Sequence, residues 1–173
     1  DKIKHIFRGK KLGRGSAVIE GMDYLIKNTD TKIFIEMDAD YSHDPNELKK
    51  NLQFFKDEEF DLLISSRYLA KSEIINWPLA RRIFSFMANL FARLLLRVPV
   101  SDYTNGYRIY SNSAAKHIAS NCGKIGGGFI ILSEILVELY YNKFNIGETN
   151  SKFINRVRGE SSVNFSEILN SLI

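Results

Sequence analysis

Three aspartates and a histidine lie close together in the segment Asp38-Ala39-Asp40-Tyr41-Ser42-His43-Asp44-Pro45. The segment follows a short apolar, β-branched run at residues 32–37, which predicts a buried strand. Asp44 followed by Pro45 is typical of a helix N-cap with proline at the first helical position. The aspartates are therefore predicted to lie between a strand end and a helix start, at the edge of an α/β sheet where ligands bind.

The carboxylates of Asp38 and Asp40 are candidates to share a hard divalent cation. Carboxylates two positions apart in an extended chain point in opposite directions, so they converge on one ion only if the backbone turns between them. Small Ala39 permits that turn and lets a ligand come close. Mg²⁺ and Mn²⁺ prefer oxygen ligands and usually arrive bridged to phosphates. The alternative is a strand end with two solvated acids, which a bare D-x-D pattern favours on its own.

Composition narrows the class of protein. The 173 residues are 45% hydrophobic and 25% charged, which is typical of one globular domain with a sizeable core. The net charge of +4 suits an anionic ligand and is too small to indicate nucleic acid. The single Cys122 cannot form an internal disulfide, which favours a reducing compartment. No apolar run reaches the roughly 18 residues of a membrane span.

The elements that must position the aspartates alternate between helix and strand. This order, with short connections, predicts a mostly parallel sheet flanked by helices in one domain, residues 1–173. Both ends of the chain are expected to be truncated, with an amphipathic helix at 165–173 that stops abruptly. The predicted elements are a helix capped by Ser16, a strand at 32–37, a helix at 45–56, a strand at 61–65, a helix at 79–97, a strand at 107–110, helices at 112–120 and 130–141, and a strand pair at 144–155.

The predicted helix at 79–97 is basic and strongly amphipathic. A wide apolar face flanked by Arg81, Arg82, Arg93 and Arg97 is the pattern of a helix that lies in the plane of a membrane interface. The alternative is a helix packed in the protein core, with its phenylalanines and leucines facing the sheet. Its apolar residues are Ile83, Phe84, Met87, Leu90, Phe91, Leu94 and Leu95.

Further motifs stand at the ends of the predicted elements. The glycine-rich loop at 9–16 can bring backbone N–H groups near an anion. The sequence Ser65-Ser66-Arg67-Tyr68 places an arginine at the ligand edge. Trp77-Pro78 is either a lead-in to the basic helix or part of the site. Asp102 and Arg108 are predicted to brace a turn through a local ion pair, and for His43 we favour a structural role over a catalytic one.

In this order and at this spacing, the motifs D-A-D-x-S-H-D-P, S-R-Y, W-P-L-x-R and D-x-T-x-G-Y-R resemble those of the polyprenol-phosphate (dolichol-phosphate) mannosyltransferases. These are inverting glycosyltransferases with a GT-A-like, Rossmann-like α/β fold. The resemblance runs from about Gly9 to Ser162. It implies one glycosyltransferase catalytic domain, here a fragment without the N-terminal strand and helix that hold the nucleotide base.

On the donor side, the resemblance implies a role for each matching residue. Asp38 and Asp40 would bind the Mg²⁺ or Mn²⁺ that bridges the sugar-nucleotide diphosphate, with Ser42 a weaker metal ligand. Arg67 and Arg156 would meet donor or acceptor phosphate. Within this set, Asp40 and Arg67 are the residues expected to act in catalysis, and Asp38 and Ala39 are expected to contact substrate.

On the acceptor side, the resemblance implies that Arg81 and Ser85 hold the lipid phosphate. The last motif of the family usually reads G-x-S-K, whereas this chain has Gly159-Glu160-Ser161-Ser162. Ser162 is therefore a substrate-binding candidate that stands where a cation is expected. The missing charge either weakens donor binding or is made good by Arg158.

The resemblance implies transfer of one hexose, expected to be mannose from GDP-mannose, to a polyprenyl phosphate. The protein would be peripheral on the cytoplasmic face of a membrane, with a membrane-anchoring partner or C-terminal segment and no nucleic-acid partner. A phosphate monoester is largely dianionic at neutral pH, because its second pKa is about 6, so it needs little general-base help. Two alternatives stay open: a related glycosyltransferase with another donor or a non-lipid acceptor, and an inactive sugar-nucleotide-binding module.

Overall fold

A computed structural model describes residues 3–10, 12–126, 128 and 130–155 of the chain. Arg156, Arg158, Ser162 and the predicted helix at 165–173 lie outside the described residues. The elements, in chain order, are α1 (Arg14–Asn28), β1 (Ile33–Glu36), a 3₁₀ helix (Pro45–Glu47), α2 (Leu48–Asp57), β2 (Leu62–Ser66), β3 (Glu73–Ile75), α3 (Leu79–Leu96), β4 (Arg108–Ser111), α4 (Asn112–Asn121), α5 (Ile130–Tyr141), β5 (Ile146–Asn150) and β6 (Lys152–Ile154).

Four strands form the main sheet in the order β1-β4-β2-β5. β2 and β5 pair in parallel, whereas β4 runs antiparallel to both β1 and β2. β1, β2 and β5 therefore point the same way, and their carboxyl ends meet at one edge, where β4 begins. The predicted α/β class is confirmed, and the sheet is mixed because the chain returns through β4 between two strands that run in the opposite direction.

Helices cover both faces of this sheet. Leu62 and Ile64 of β2 face the larger core, which α1, α4 and α5 close, whereas Leu63 between them faces the smaller core beneath α2. This alternation follows from the two-residue period of a strand. Gly15 of α1 packs directly on Ile131, where a larger side chain would clash. The glycine-rich loop thus brings α1 close against α5.

Most predicted elements are confirmed, with two local differences. Asp44 caps the 3₁₀ helix by accepting a hydrogen bond from the Asn46 N–H at 2.9 Å, as expected. Ser16 is not the cap of α1, because the helix starts at Arg14 and the one Ser16 hydroxyl proton is shared between the Leu12 and Gly13 carbonyl oxygens, 2.8 and 3.0 Å away. The predicted strand pair at 144–155 is also wrong as a pair: β5 joins β2, and β6 pairs in parallel with β3.

Helix α3 presents its polar side to the protein and its apolar side outward. Its buried residue is Asn89, and Ser85 and Arg81 lie one and two turns before it on the same face. The alternative of a core helix is therefore wrong for this chain. None of the helices in the described parts of the chain is both long and apolar enough to cross a membrane. The exposed side chains of α3 include Leu79, Ile83, Phe84, Phe86, Met87, Leu90, Phe91, Leu94 and Leu95.

Candidate active site

The predicted site residues gather at the edge of the sheet where β1, β2 and β5 end. The segment after β1 carries Asp38 and Asp40, and Arg67 directly follows β2. The turn before β4 brings Asn105 and Gly106 to the same edge because β4 runs in the opposite direction. Three motifs that are distant in sequence are thereby brought together, as the position of each at an element end predicted.

His43 holds the segment after β1 in place. Its Nδ1 accepts a hydrogen bond from the Asp38 N–H at 3.0 Å, and its Nε2 lies 3.0 Å from the Asn105 Oδ1. This pairing requires the tautomer with the proton on Nε2. The ring is buried and stacks on Tyr107, and burial lowers the pKa of His43. The structure thus supports the structural role that we favoured for this histidine.

The backbone turns between the two aspartates, as small Ala39 was predicted to allow. A bend covers residues 39–41, and Tyr41 takes a left-handed conformation at φ 62°. The Asp40 Oδ1 accepts the Ser42 N–H at 3.0 Å, which fixes the second carboxylate on the turn. Ala39 is exposed, and the Asp38 side chain is 38% exposed, so a ligand can reach both.

These residues fit a divalent cation in part. The Ser42 hydroxyl is buried and has no hydrogen-bond partner among the described residues, so it is a polar atom without an evident structural purpose. No cluster of three or more histidine, cysteine or acidic side chains arranged for a metal occurs in the described ranges. Two carboxylates and a hydroxyl suit Mg²⁺, which keeps several waters and takes further ligands from substrate phosphates.

Arg14 is a site residue that the sequence analysis missed. Its Nε and Nη2 lie 3.2 and 2.9 Å from the Glu36 Oε1, and its Nη2 lies 3.1 Å from the Asp38 Oδ1. Burial alone lowers the pKa of Arg14, but the adjacent carboxylates outweigh it and raise the pKa, so the guanidinium is always charged. One arginine in a glycine-rich loop carries no local signal for these contacts, which span 22 and 24 residues.

Arg67 forms a buried bidentate ion pair with Asp102. Its Nε and Nη2 lie 2.8 and 2.7 Å from the two carboxylate oxygens, and its backbone N–H donates to the same carboxylate at 2.9 Å. The Nη2 also donates to the Thr104 hydroxyl at 2.6 Å. Despite burial, which raises the pKa of Asp102, the Arg67 guanidinium holds it below its usual value. The fork expected to meet phosphate is therefore largely engaged within the protein.

The predicted ion pair between Asp102 and Arg108 is wrong. Arg108 is fully buried and donates to the carbonyls of Asn105, Leu132 and Tyr103, each at 2.9 Å. Asp102 does brace the turn, because it accepts the N–H groups of Thr104 and Asn105 at 3.1 and 3.0 Å. Its charged partner comes from β2 because that strand ends directly beside the turn.

Trp77 is more than a lead-in to α3, because it contacts two of the predicted site arginines. The Arg81 guanidinium lies over its ring at 4.1 Å, and the Arg67 guanidinium lies 5.4 Å from the same ring centroid. The Arg81 Nη1 also donates to the Asn155 Oδ1 at 3.1 Å, which fixes its direction. The Ser85 hydroxyl, one turn along α3, accepts from the Tyr68 hydroxyl at 2.6 Å. Arg81 and Ser85 thus turn toward Trp77 and Tyr68, and their role in holding a phosphate stays a prediction.

The fold and the site define the class of this protein. An α/β domain with two aspartates after a strand and arginines at the same sheet edge is consistent with the GT-A-like fold that the resemblance implied. Residues 1–119 match the family described as Glycosyl transferase family 2, which is well over half of the chain. The chain therefore belongs to glycosyl transferase family 2.

Two relatives make the comparison more specific. The chain is 32% identical over 168 residues to the Polyprenol monophosphomannose synthase of Mycolicibacterium smegmatis, a match that covers 97% of this chain and 62% of the relative. It is 30% identical over 169 residues to the Undecaprenyl-phosphate mannosyltransferase of Micrococcus luteus, covering 94% of this chain and 66% of the relative. The chain thus spans a little under two thirds of the length of these relatives.

Proposed function

We propose that this chain carries catalytic residues of a glycosyltransferase that moves a hexose from a nucleoside diphosphate sugar to a polyprenyl phosphate. Mannose from GDP-mannose is the donor we expect, since both relatives are named for mannose transfer to a polyprenyl acceptor. One observation carries the proposal. The Asp38–Asp40 turn and Arg67 follow strands that end at the same sheet edge, and Arg67 shares the Trp77 ring with Arg81, which belongs to a helix whose outer face is apolar.

The acceptor phosphate is proposed to bind at Arg81 and Ser85. Trp77 and Asn155 orient the Arg81 guanidinium, and a pre-oriented planar fork matches phosphate oxygens better than a flexible ammonium does. The Arg67 guanidinium lies 5.4 Å from the centroid of the same tryptophan ring, so its positive charge adds to the field that a phosphate meets. Arg156 and Ser162 remain predictions for the same site.

In the proposed reaction, an oxygen of the acceptor phosphate attacks the anomeric carbon of the donor sugar. The bond between that carbon and the diphosphate breaks, and the nucleoside diphosphate leaves with the electron pair, so configuration inverts. The acceptor is already dianionic at neutral pH, so no side chain has to remove a proton. The protein supplies orientation and positive charge near both phosphates.

Asp38 and Asp40 would hold the divalent cation, Mg²⁺ or Mn²⁺, with the Ser42 hydroxyl as a further ligand. When bound, such an ion neutralises charge that develops on the leaving diphosphate. The residues of this chain contribute the two carboxylates on the bend and the hydrogen bond from the Ser42 N–H that holds Asp40. His43, itself held by Asn105, accepts the Asp38 N–H and so fixes the start of the bend.

We further propose that α3 lies in the interface of a membrane, at its cytoplasmic face. The exposed apolar side chains of α3 form one continuous face. Its apolar area is far larger than that of the single apolar residues scattered over an ordinary protein surface. Arg82, Arg93 and Arg97 are exposed beside it, where they can meet anionic headgroups. The inward polar face then carries Arg81 and Ser85 at headgroup height, where a lipid phosphate would stand. This placement favours a lipid acceptor over a soluble one.

Donor turnover by the full-length protein tests the proposed activity. A panel of sugar nucleotides is incubated with polyprenyl phosphate and Mg²⁺ or Mn²⁺, with and without chelator, and the glycolipid is quantified. We expect GDP-mannose to be the preferred donor and the chelator to stop transfer. Turnover of another donor would change the sugar, and donor binding without turnover of any member would favour the inactive binding module.

Co-sedimentation with anionic liposomes tests the membrane proposal. The double variant Arg93→Glu/Arg97→Glu should bind at least about thirtyfold less, because each basic residue near an anionic surface contributes roughly 1 kcal/mol at low salt. Lys49→Glu/Lys50→Glu on α2 makes the same charge change at exposed positions on another helix and should bind like the parent. Equal loss in both variants would show a general charge effect, and equal binding in all three would contradict the role of α3.

A further inference from the structure

Arg14 engages both oxygens of the Asp38 carboxylate. Its Nη2 lies 3.1 Å from Oδ1 and its Nη1 lies 3.4 Å from Oδ2. The same guanidinium is anchored on Glu36, whose other carboxylate oxygen accepts from the Tyr110 hydroxyl at 2.8 Å. Glu36 is only 10% exposed and Arg14 21% exposed, whereas Asp38 is 38% exposed. The anchored end is therefore Arg14–Glu36, and the accessible end is Asp38.

The surrounding backbone is shaped to admit this guanidinium. The Arg14 Nη2 lies 3.4 Å from the Gly106 carbonyl oxygen, and a side chain at position 106 would collide with it. Gly106 belongs to the turn that also supplies Asn105 to His43, so the guanidinium lies between the two motifs that form the site. A chance surface ion pair would not require such a close approach. Arg14 is thus a built part of the site.

A divalent cation and Arg14 make competing demands on Asp38. A carboxylate that binds the ion has to give up or share the oxygens that Arg14 now holds, and the guanidinium repels the ion at short range. Because Glu36 retains Arg14, the guanidinium cannot simply leave when an ion arrives. The diphosphate of a donor brings negative charge that offsets this repulsion, so ion and donor are expected to bind better together than the ion binds alone.

We propose that Arg14 is a positioning residue that restrains Asp38 and weakens the binding of a free divalent cation until the donor diphosphate arrives. This inference rests on the proposed metal-dependent function. It assigns to this chain a control on the order of binding: Asp38 is kept in place and charge-balanced in the empty site, and the cation is taken up chiefly together with its diphosphate.

Titration of the full-length protein with Mn²⁺ alone, followed by the electron paramagnetic resonance signal of the free ion, tests the proposal. Arg14→Leu removes the charge and the fork, and the Mn²⁺ dissociation constant should fall about tenfold, the order expected when a like charge is removed beside an ion. Arg8→Leu is the matched control, since Arg8 pairs with Glu20 at 2.8 Å, and it should bind Mn²⁺ like the parent. Circular dichroism confirms that each variant folds.

The double variant Arg14→Leu/Glu36→Gln separates two causes of tighter binding. If Arg14 acts through Asp38, the double variant keeps the gain; loss of the gain would mean that the freed Glu36 binds the ion, which would overturn the proposal. Unchanged or weaker Mn²⁺ binding in Arg14→Leu would also overturn it while leaving the metal-dependent function intact. Absence of Mn²⁺ binding in every variant, even with GDP added, would instead refute the metal assignment and this inference with it.

Discussion

Two arginine–aspartate pairs stand at one edge of the sheet and differ in burial. Arg67 and Asp102 are 7% and 0% exposed, and the pair is bidentate. Arg14 and Asp38 are 21% and 38% exposed, with longer contacts to Asp38. The chemistry of the two pairs is the same. What differs is the access of water, and with it the cost of separating the charges.

This difference assigns separate tasks to the two pairs. Breaking a buried pair leaves a charge without compensation, which typically costs about 3–5 kcal/mol, whereas an exposed pair contributes about 1 kcal/mol or less. The Arg67–Asp102 pair is therefore suited to hold the turn before β4. In the Arg14–Asp38 pair, the Asp38 carboxylate can turn to another cation at little cost in fold stability. A ligand-binding residue requires this freedom.

A substitution in the exposed pair should have the largest effect of all those predicted here, and it should change activity but not stability. Asp38→Asn removes a proposed metal ligand, so transfer should fall at least a thousandfold, a loss of about 4 kcal/mol in transition-state stabilisation. The midpoint of urea unfolding should change little, because the carboxylate lies outside the core. Asp23→Asn is the control, since Asp23 pairs with Lys27 on the surface of α1. Full activity of Asp38→Asn would contradict the metal assignment, and so would full activity of the parent in excess chelator.

The buried pair should show the largest effect on stability. Asp102→Asn leaves the Arg67 guanidinium buried without its anion, so the free energy of unfolding should fall by about 3–5 kcal/mol. Equilibrium unfolding in urea measures the change. A loss below 1 kcal/mol would mean that the two pairs are energetically alike, and the contrast between them would disappear.

Arg81 is a third case, oriented by a tryptophan ring and an amide oxygen. Arg81→Ala removes a charge-assisted contact to the acceptor phosphate, so about 1.5–3 kcal/mol of phosphate binding should be lost, seen as a higher KM for a short-chain polyprenyl phosphate. Arg81→Lys should restore it only partly, because a point charge does not reproduce the fork. Arg82→Ala, at the neighbouring exposed arginine, should leave this KM unchanged.

The smallest effect is expected for a neutral residue next to the buried pair. The Tyr103 hydroxyl donates to the Val98 carbonyl at 2.6 Å and accepts the Val98 N–H at 3.1 Å, so Tyr103→Phe should cost about 1 kcal/mol at neutral pH. Burial raises the pKa of Tyr103 to about 12. In the unfolded chain the phenol ionises near pH 10, so the stability it contributes is present below pH 10 and is lost as the pH rises to about 12.

Urea unfolding at several alkaline pH values tests this last prediction. Between pH 10 and 12, the free energy of unfolding of the parent should fall more steeply than that of Tyr103→Phe, by about one proton. Parallel curves would contradict the buried, neutral state of this tyrosine. Circular dichroism at pH 8 provides the reference for the folded variant.

Local sequence patterns predicted most of the elements and the position of the Asp38–Asp40 turn. The N-cap at Asp44 and the turn at Ala39 depend on neighbouring residues only, so they could be read from composition and spacing. The β3–β6 pair could not, because β3 has three residues and its partner lies far along the chain. The contacts of Arg14 with Glu36 and of Arg67 with Asp102 were missed for the same reason, since they span 22 and 35 residues.

Periodicity also left the orientation of α3 open. The spacing of its apolar residues predicts one apolar face, but the same spacing suits a core helix and a membrane helix. Only the fold shows that Asn89 lies inside, where its side chain accepts the Tyr103 N–H at 2.6 Å. Of the four arginines predicted to flank the apolar face, Arg81 turns inward to Trp77 and Asn155, whereas Arg82, Arg93 and Arg97 are exposed.

If α3 binds a membrane as proposed, its outward apolar face lets the bilayer act as a ligand that stabilises the folded state. The unfolded chain does not present these side chains as one surface, so lipid that binds the folded chain raises the unfolding free energy by mass action. The unfolding free energy in lipid-free buffer is then a lower bound, and the unfolding free energy grows as lipid is added. A substitution on the outer face of α3 could leave the fold unchanged in buffer and still reduce the amount of folded protein at a membrane.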